Sequence, residues 1–328
     1  MSTRSLDLTA DLARDLVATA VRAPSLHNSQ PWQFRLDDGG IELRGDPSRL
    51  LPVADPSGRE LAISCGAALM NLRLAARSHG MSTHVALVPD PAEPALFARV
   101  AVTAGPAATD EERRLLAAVA RRHTHRGRFS ERRVAPELMV ALMDAVALEG
   151  AHLFVVGSPG RARRLADLVA AAERTQRADP TWRDELLSWT PAPAEDRRDG
   201  VPAAAYSSHV VASPNSLVGR DFDLGRGWGR LPGAGPEEAV LAVLATDGDS
   251  LEDWLSAGQA VQRMLLRAAC DWAFAAIFSQ PLELRYVRHL VAEELSTPND
   301  PQMLLRIGHA DGAAATPRRP VSEVFRAD

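Results

Sequence analysis

The chain has 328 residues, 46% of them apolar, and a formal net charge of −5. That is enough for roughly two domains with a real hydrophobic core. It leaves no overall basic field for nucleic acid or an anionic membrane, and no apolar run is long enough to span a bilayer.

The opening "MSTRSLDLTADLARDL" is polar and acidic where a secretory leader would be basic and then apolar, so a cytoplasmic location is expected. Residues 7–22 read as an amphipathic helix, with Leu8, Leu12, Leu16, Val17 and Ala20 on one face, ended by Pro24. "QFRLDDGGIELRG" reads as a hairpin turning on Asp38-Gly39-Gly40. A long apolar helix is expected over 59–79, then strands in "THVALV" and "LFARVAV". Helices follow over 109–122 and 135–148, a strand in "AHLFVV", and a helix near 159–177. From Asp179 to Pro236 no periodicity is visible, and a stretch of that length in a compact protein is functional or disordered. Order returns with the strand "AVLAVLAT", a helix over 250–275 and the strand "QMLLRIG". Cys65 and Cys270 both lie in apolar helical patterns and read as buried free thiols. "GAALMNLRLAA" (66–76) and "GQAVQRMLLRAA" (258–269) form a faint internal repeat that aligns Gly66 with Gly258, Ala68 with Ala260, Leu74 with Leu266 and Ala76 with Ala268.

Four stretches carry the chemistry. "VRAPSLHNSQPWQF" crowds Ser25, His27, Asn28 and Gln30 onto one short connection after Pro24. "RRHTHRGRFSERR" (121–133) places six arginines in thirteen residues. An extended Arg-x-Thr-x-Arg sets Arg122, Thr124 and Arg126 on one side at period two, a donor set suited to a phosphate monoester. "SQPLE" (279–283) breaks a helix at Pro281, and the tail "TPRRP" holds two arginines in an extended frame. All 37 basic residues are arginine and none is lysine, which excludes a Schiff-base lysine and a Walker-A loop. No dinucleotide fingerprint and no nucleophile elbow is present. His123 and His125 lack further ligands in the sequence, so no metal site is expected.

Together these stretches resemble the nitroreductase superfamily of FMN-binding flavoproteins, and more narrowly its Acg-type subgroup. "APSLHNSQPW" resembles the family's Ala-Pro-Ser-x-x-Asn-x-Gln-Pro-Trp signature, "RRHTHRGRF" its phosphate segment, "QPLE" its Pro-x-Glu turn facing the flavin, and "TPRRPVSEVF" its basic tail. The resemblance implies an α+β, nitroreductase-like fold. Typical members are homodimers with each flavin between subunits, one supplying the Pro-Ser-x-x-Asn loop and the other the arginine segment. Here both motifs stand in one chain, in the reverse order. The expectation is therefore two fused halves, 1–115 and 116–328, imitating the dimer, with 179–236 as a lid over the flavin. One FMN is expected per chain, held by Pro24, Ser25, His27, Asn28 and Gln30 from the first half. The second half would contribute Arg122, Thr124, Arg126, Gln280, Pro281, Leu282, Glu283 and Arg318. The flavin would carry the chemistry, with no catalytic side chain. The expected function is NAD(P)H-dependent two-electron reduction of a small acceptor, a nitro compound or quinone. The alternative is a flavin-sequestering protein shut by its lid. The assembly would be a monomeric pseudo-dimer or a homodimer of fused chains.

Overall fold

Thr9 accepts a hydrogen bond from the Leu12 N–H and starts α1 (Ala10–Ala20), which buries Ala13, Leu16, Val17 and Ala20 on one face. The computed structural model describes residues 8–37, 40–208, 217–231, 236–311 and 316–327. β1 (Trp32–Asp37) and β2 (Gly40–Gly45) pair antiparallel with Asp37 opposite Gly40. Of the expected hairpin turn, Asp38 and Gly39 lie outside the described residues. Next come α2 (Arg59–Ser78), β3 (Met81–Leu87) and β4 (Leu96–Ala104). α3 (Asp110–Ala118) opens on a capping box between Thr109 and Glu112. It is followed by α4 (Pro136–Ala147), β5 (His152–Val155), α5 (Pro159–Ala178) and α6 (Pro180–Ser188). β6 (Val240–Thr246), α7 (Leu251–Cys270), β7 (Ala273–Ile277), α8 (Gln280–Glu283), α9 (Arg285–Leu295) and β8 (Asp300–His309) lead to α10 (Val321–Val324) and β9 (Phe325–Ala327).

The strands form two sheets, ordered β3-β4-β2-β1-β9 and β7-β8-β6-β5. Leaving β9 aside, the two follow one plan. The first and second strands of each pair antiparallel, as do the second and fourth, and the third and fourth. A long helix, α2 or α7, stands in the same place in each chain order. α2 and α7 cross where the repeat aligned their glycines. A Cβ on Gly66 would lie 2.2 Å from the Leu255 carbonyl oxygen, and one on Gly258 would lie 2.1 Å from that of Ile63. The contact is reciprocal, because the same sequence offset separates Ile63 from Leu255 as separates Gly66 from Gly258. Two helices can approach this closely only where both lack side chains.

β9 adds to the first sheet, parallel to β1, with Phe325 opposite Phe34. Val324 and Phe325 are buried in the core formed by α1, α2 and that sheet. The C-terminal strand is therefore anchored in the other sheet from β8. No helix among the described residues is long and apolar enough to cross a membrane.

Several expectations change. The helix expected over 250–275 stops at Cys270, and Trp272 turns the chain at φ 56° into β7, so "SQPLE" follows a strand. Its alanines satisfy either period, so apolar pattern alone could not place the break. Cys65 is buried as expected, but Cys270 ends α7 only partly covered. The 179–236 stretch opens with α6, capped by Asp179 on the Thr181 N–H. The boundary drawn at 115/116 falls inside α3. α9 and β9 had no expectation attached to them.

Candidate functional site

The connection after α1 is built from strain and side-chain bonding. Pro24 and an extended Ser25 precede His27, Asn28 and Gln30, whose φ angles are 50°, 57° and 52°. Left-handed backbone on non-glycine residues costs on the order of 1–3 kcal/mol each and persists only where the surroundings fix it. Here they do. Ser25 Oγ accepts from the Gln30 N–H at 2.9 Å. Asn28 Nδ2 donates to the carbonyls of Gly200 and Pro317 at 3.0 and 3.1 Å, and its Oδ1 accepts from Arg318 at 2.9 Å. Gln30, fully buried, donates to the Arg198 carbonyl at 2.8 Å and accepts from the Arg319 N–H at 2.8 Å.

The arginine segment lies along the edge of β7. Thr124 bridges Ala275 and the His125 N–H donates to the Ala275 carbonyl at 2.9 Å. That pairing sends His123 onto Phe274, with ring centroids 4.0 Å apart, and His125 onto Phe129 at 4.6 Å. Arg122, Thr124 and Arg126 meet Pro24, Ser25, Asn28, Thr316 and Arg318 around a small polar pocket. Residues a hundred and three hundred positions apart in sequence thus share one wall.

Among the described residues, no carboxylate faces Arg122, Arg126 or Arg318. Burial first, then Arg126 and Arg22, pulls Arg122 down to about 10. Burial, then Arg220, does the same to Arg126. Burial, then Arg122, Arg22 and Arg126, brings Arg318 to about 9. Nε and Nη1 of Arg122 and Nε of Arg318 are buried without a hydrogen-bond partner. A guanidinium keeps its proton at neutral pH, so three repelling cations and several orphaned donors converge on this pocket. The donor set fits a phosphate.

A larger cavity of about 190 Å³ adjoins it, sharing Pro24, Ser25, Thr124 and Arg126. Ile63, Ala67, Val261, Ile277, Met303 and Leu217 give it apolar walls suited to a planar ring. His27 also lines it, edge-on to Phe222 with centroids 5.6 Å apart. Burial, then Arg220 and Arg126, holds His27 well below its usual range. Of the expected turn, Gln280, Pro281 and Leu282 are buried behind the wall, and the cavity is lined instead by Ala276 to Ser279. Glu283 accepts from Arg220 at 2.5 Å and from Gln176 at 2.7 Å.

Arg220 comes from the stretch without periodicity, which covers the cavity. Tyr206, Leu217, Arg220 and Phe222 line it from that side. On the first sheet's side, Glu185 accepts from the N–H groups of Val53 and Ala54 at 2.9 and 2.8 Å, and Asp199 pairs with Arg49. On the other side, Arg220 donates to Ser279 at 3.1 Å and Glu173 accepts from the Asp221 N–H at 3.1 Å. The glycine-rich run is organised by one carboxylate. Asp223 accepts from the N–H groups of Gly227, Trp228 and Gly229 at 2.6, 2.8 and 2.9 Å. Sequence reasoning missed this lining, and missed Glu60 and Ser64 of α2, whose signal was polar side chains in a helix buried nearly all round.

The chain is 32% identical over 327 residues to "Putative NAD(P)H nitroreductase acg" of Mycobacterium tuberculosis, covering 97% of this chain and 96% of that protein. It is 30% identical over 326 residues to "Uncharacterized protein Rv3127" of the same organism, covering 96% and 93%. Among solved structures it is similar to the FMN-dependent nitroreductase NfnB of Mycobacterium smegmatis in complex with NADPH. That match has a TM-score of 0.40 at 15% identity, over 66% of this chain and 99% of that one. A BluB-like flavoprotein from Clostridium difficile 630 gives a TM-score of 0.42 at 13% identity, over 64% and 96%. No protein-family model matches the chain. The near full-length identity to acg decides the assignment: the chain belongs to the acg-type NAD(P)H nitroreductase family.

Proposed function

We propose that the chain binds one FMN between two fused nitroreductase-like halves and passes two electrons from NAD(P)H to a small acceptor such as a nitro compound or quinone. The observation that carries this is the convergence of a buried Arg122 with the partly buried Arg126 and Arg318, without an ion-pair partner among the described residues, on a polar pocket adjoining an apolar cavity. Arg122, Arg318, Thr124 and Ser25 would hold the phosphate. Asn28 and Gln30 hold the loop, the covering segment and the tail together. When bound, FMN supplies the hydride chemistry. The chain would supply position and charge, with Arg126, which lines both pockets, as a fixed cation for the reduced ring. The matching strand plans of the two sheets and the reciprocal Gly66–Gly258 contact support the two-half reading.

Purified protein is expected to be yellow, to release FMN on denaturation, and to bleach within seconds on anaerobic mixing with NADPH. Arg122→Ala and Arg126→Ala are expected to be folded and colourless. Full FMN occupancy in both variants would overturn the phosphate assignment. The bonds of 179–236 to both sides of the cavity favour a second reading, in which the segment sequesters the flavin. Bleaching by dithionite but not by NADPH or NADH would select it.

A further inference from the structure

Among the described residues two carboxyl groups, Glu60 and Glu237, line the cavity, and they differ. Glu237 accepts from Arg306 at 2.8 Å and from the Phe129 N–H at 3.1 Å. Burial opposes ionisation there, but those bonds outweigh it and hold the group below its usual range as a carboxylate. Glu60 stands in the first turn of α2, 4% exposed, facing the cavity beside Ile63 and Ser64. It pairs with Arg59, which is pinned in turn by donating to the Gln302 carbonyl at 2.8 Å and to Gln302 Oε1 at 3.1 Å.

Glu60 is faced by Arg59 on its own helix, Asp55 from the preceding turn, Glu283 from α8 and Arg220 from the covering segment. Burial raises its carboxyl above the usual range. Arg59 opposes this, Glu283 adds to it, and Arg220 opposes it. The lining arginines do not release their protons, burial holds His27 and His125 below their usual range, and burial raises Tyr206. The covering segment is bonded to both sides of the cavity, through Glu185 to Val53 and through Arg220 to Ser279.

We propose that Glu60 is the acid that delivers the proton completing reduction of the acceptor bound beneath the covering segment. This deepens the oxidoreductase reading above and rests on it. A quinone that takes up a hydride, originating from the nicotinamide, gains two electrons and is left with one negative charge. The Glu60 O–H bond breaks as an O–H bond forms on the acceptor oxygen. The charge passes to the Glu60 carboxylate beside Arg59, and the group is reprotonated from solvent before the next turnover. Arg59 and Gln302 are positioning residues, because they act through Glu60.

The test uses holoprotein reduced by dithionite, so that it does not depend on nicotinamide, mixed anaerobically with a soluble naphthoquinone from about pH 5 to about pH 9. Reoxidation of the wild type is expected to be fast at low pH and to slow as pH rises through the Glu60 range. Glu60→Gln is expected to reoxidise about a hundredfold more slowly, with a flat profile. Glu60→Asp should restore the pH dependence and part of the rate. Infrared spectra of the ligand-free wild type should show a protonated carboxyl band that persists above the normal glutamate range and is missing from Glu60→Gln. A Glu60→Gln profile matching the wild type in rate and shape overturns this role and leaves the oxidoreductase reading standing. So does a Glu60 carboxyl that ionises in the ordinary range. A wild type that never passes electrons to the quinone overturns both.

Discussion

Arg122 is buried, faces other arginines, and leaves two of its donor atoms without a partner. In the ligand-free protein that arrangement is unfavourable, and an arriving anion relieves it. Binding and stability therefore pull in opposite directions at this residue. Arg122→Met is expected to leave the ligand-free protein as stable or more stable by calorimetry, while FMN affinity falls about 10- to 100-fold, the worth of one charge-assisted hydrogen bond. Parallel losses of both would mean that Arg122 is structural. His123 makes a second residue-scale case. Burial pulls it to about 4, so the unfolded chain takes up a proton near 6.5 that the folded chain refuses. Stability is then fully present above about pH 6.5 and drains away as pH falls towards 4. His123→Gln, which cannot titrate, should flatten that part of the stability curve, followed by denaturant midpoint against pH.

At the scale of elements, the tail links the two sheets to the small polar pocket. β9 seats Phe325 in the first core opposite Phe34, and seven residues earlier Arg318 reaches Asn28, the Ala23 carbonyl and the pocket. Phe325→Ala is expected to destabilise the protein by about 3–5 kcal/mol, as large-to-small core changes do. It should also weaken FMN binding although it touches no pocket atom, and FMN titration of the still-folded variant measures that. The tail also marks the limit of sequence reading. Its arginines were legible, but a three-residue strand carries too little period to show where it docks. The Ser25–Asn28 loop and the Arg122–Arg126 segment were legible because their side chains face one pocket from short, extended or strained backbone. Within 179–236 the order comes from Asp223 gathering three N–H groups and from Glu185 gripping two more. Such long-range bonding leaves no repeat in the residues that accept it. The Gln280–Glu283 turn was legible as a motif, but only the structure gives its place behind the wall, with Glu283 holding Arg220.

For the whole molecule, the two-half reading raises the question of a second seat. If the sheets correspond as their strand orders indicate, the counterpart of the loop joining α1 to β1 is the connection from α4 to β5. That connection is only Leu148 to Ala151, and it carries no equivalent of Ser25 or Asn28. Glu149 fills the place instead. It accepts from Arg73 of α2 at 2.5 Å and from Arg263 of α7 at 2.6 Å, and Arg73 also donates to Gln259 at 2.7 Å. The cations that could have met a phosphate there are already neutralised by a buried carboxylate, whereas those around Asn28 are not. Opening such a seat would leave charges unpaired, which is strongly destabilising when they are buried. Titration of ligand-free protein with FMN should therefore saturate at one per chain, as followed by flavin fluorescence and by native mass. Glu149→Ala should lower stability without creating a second site. Saturation at two per chain would show that the second half keeps a working seat, and the asymmetry argued from Glu149 would fall.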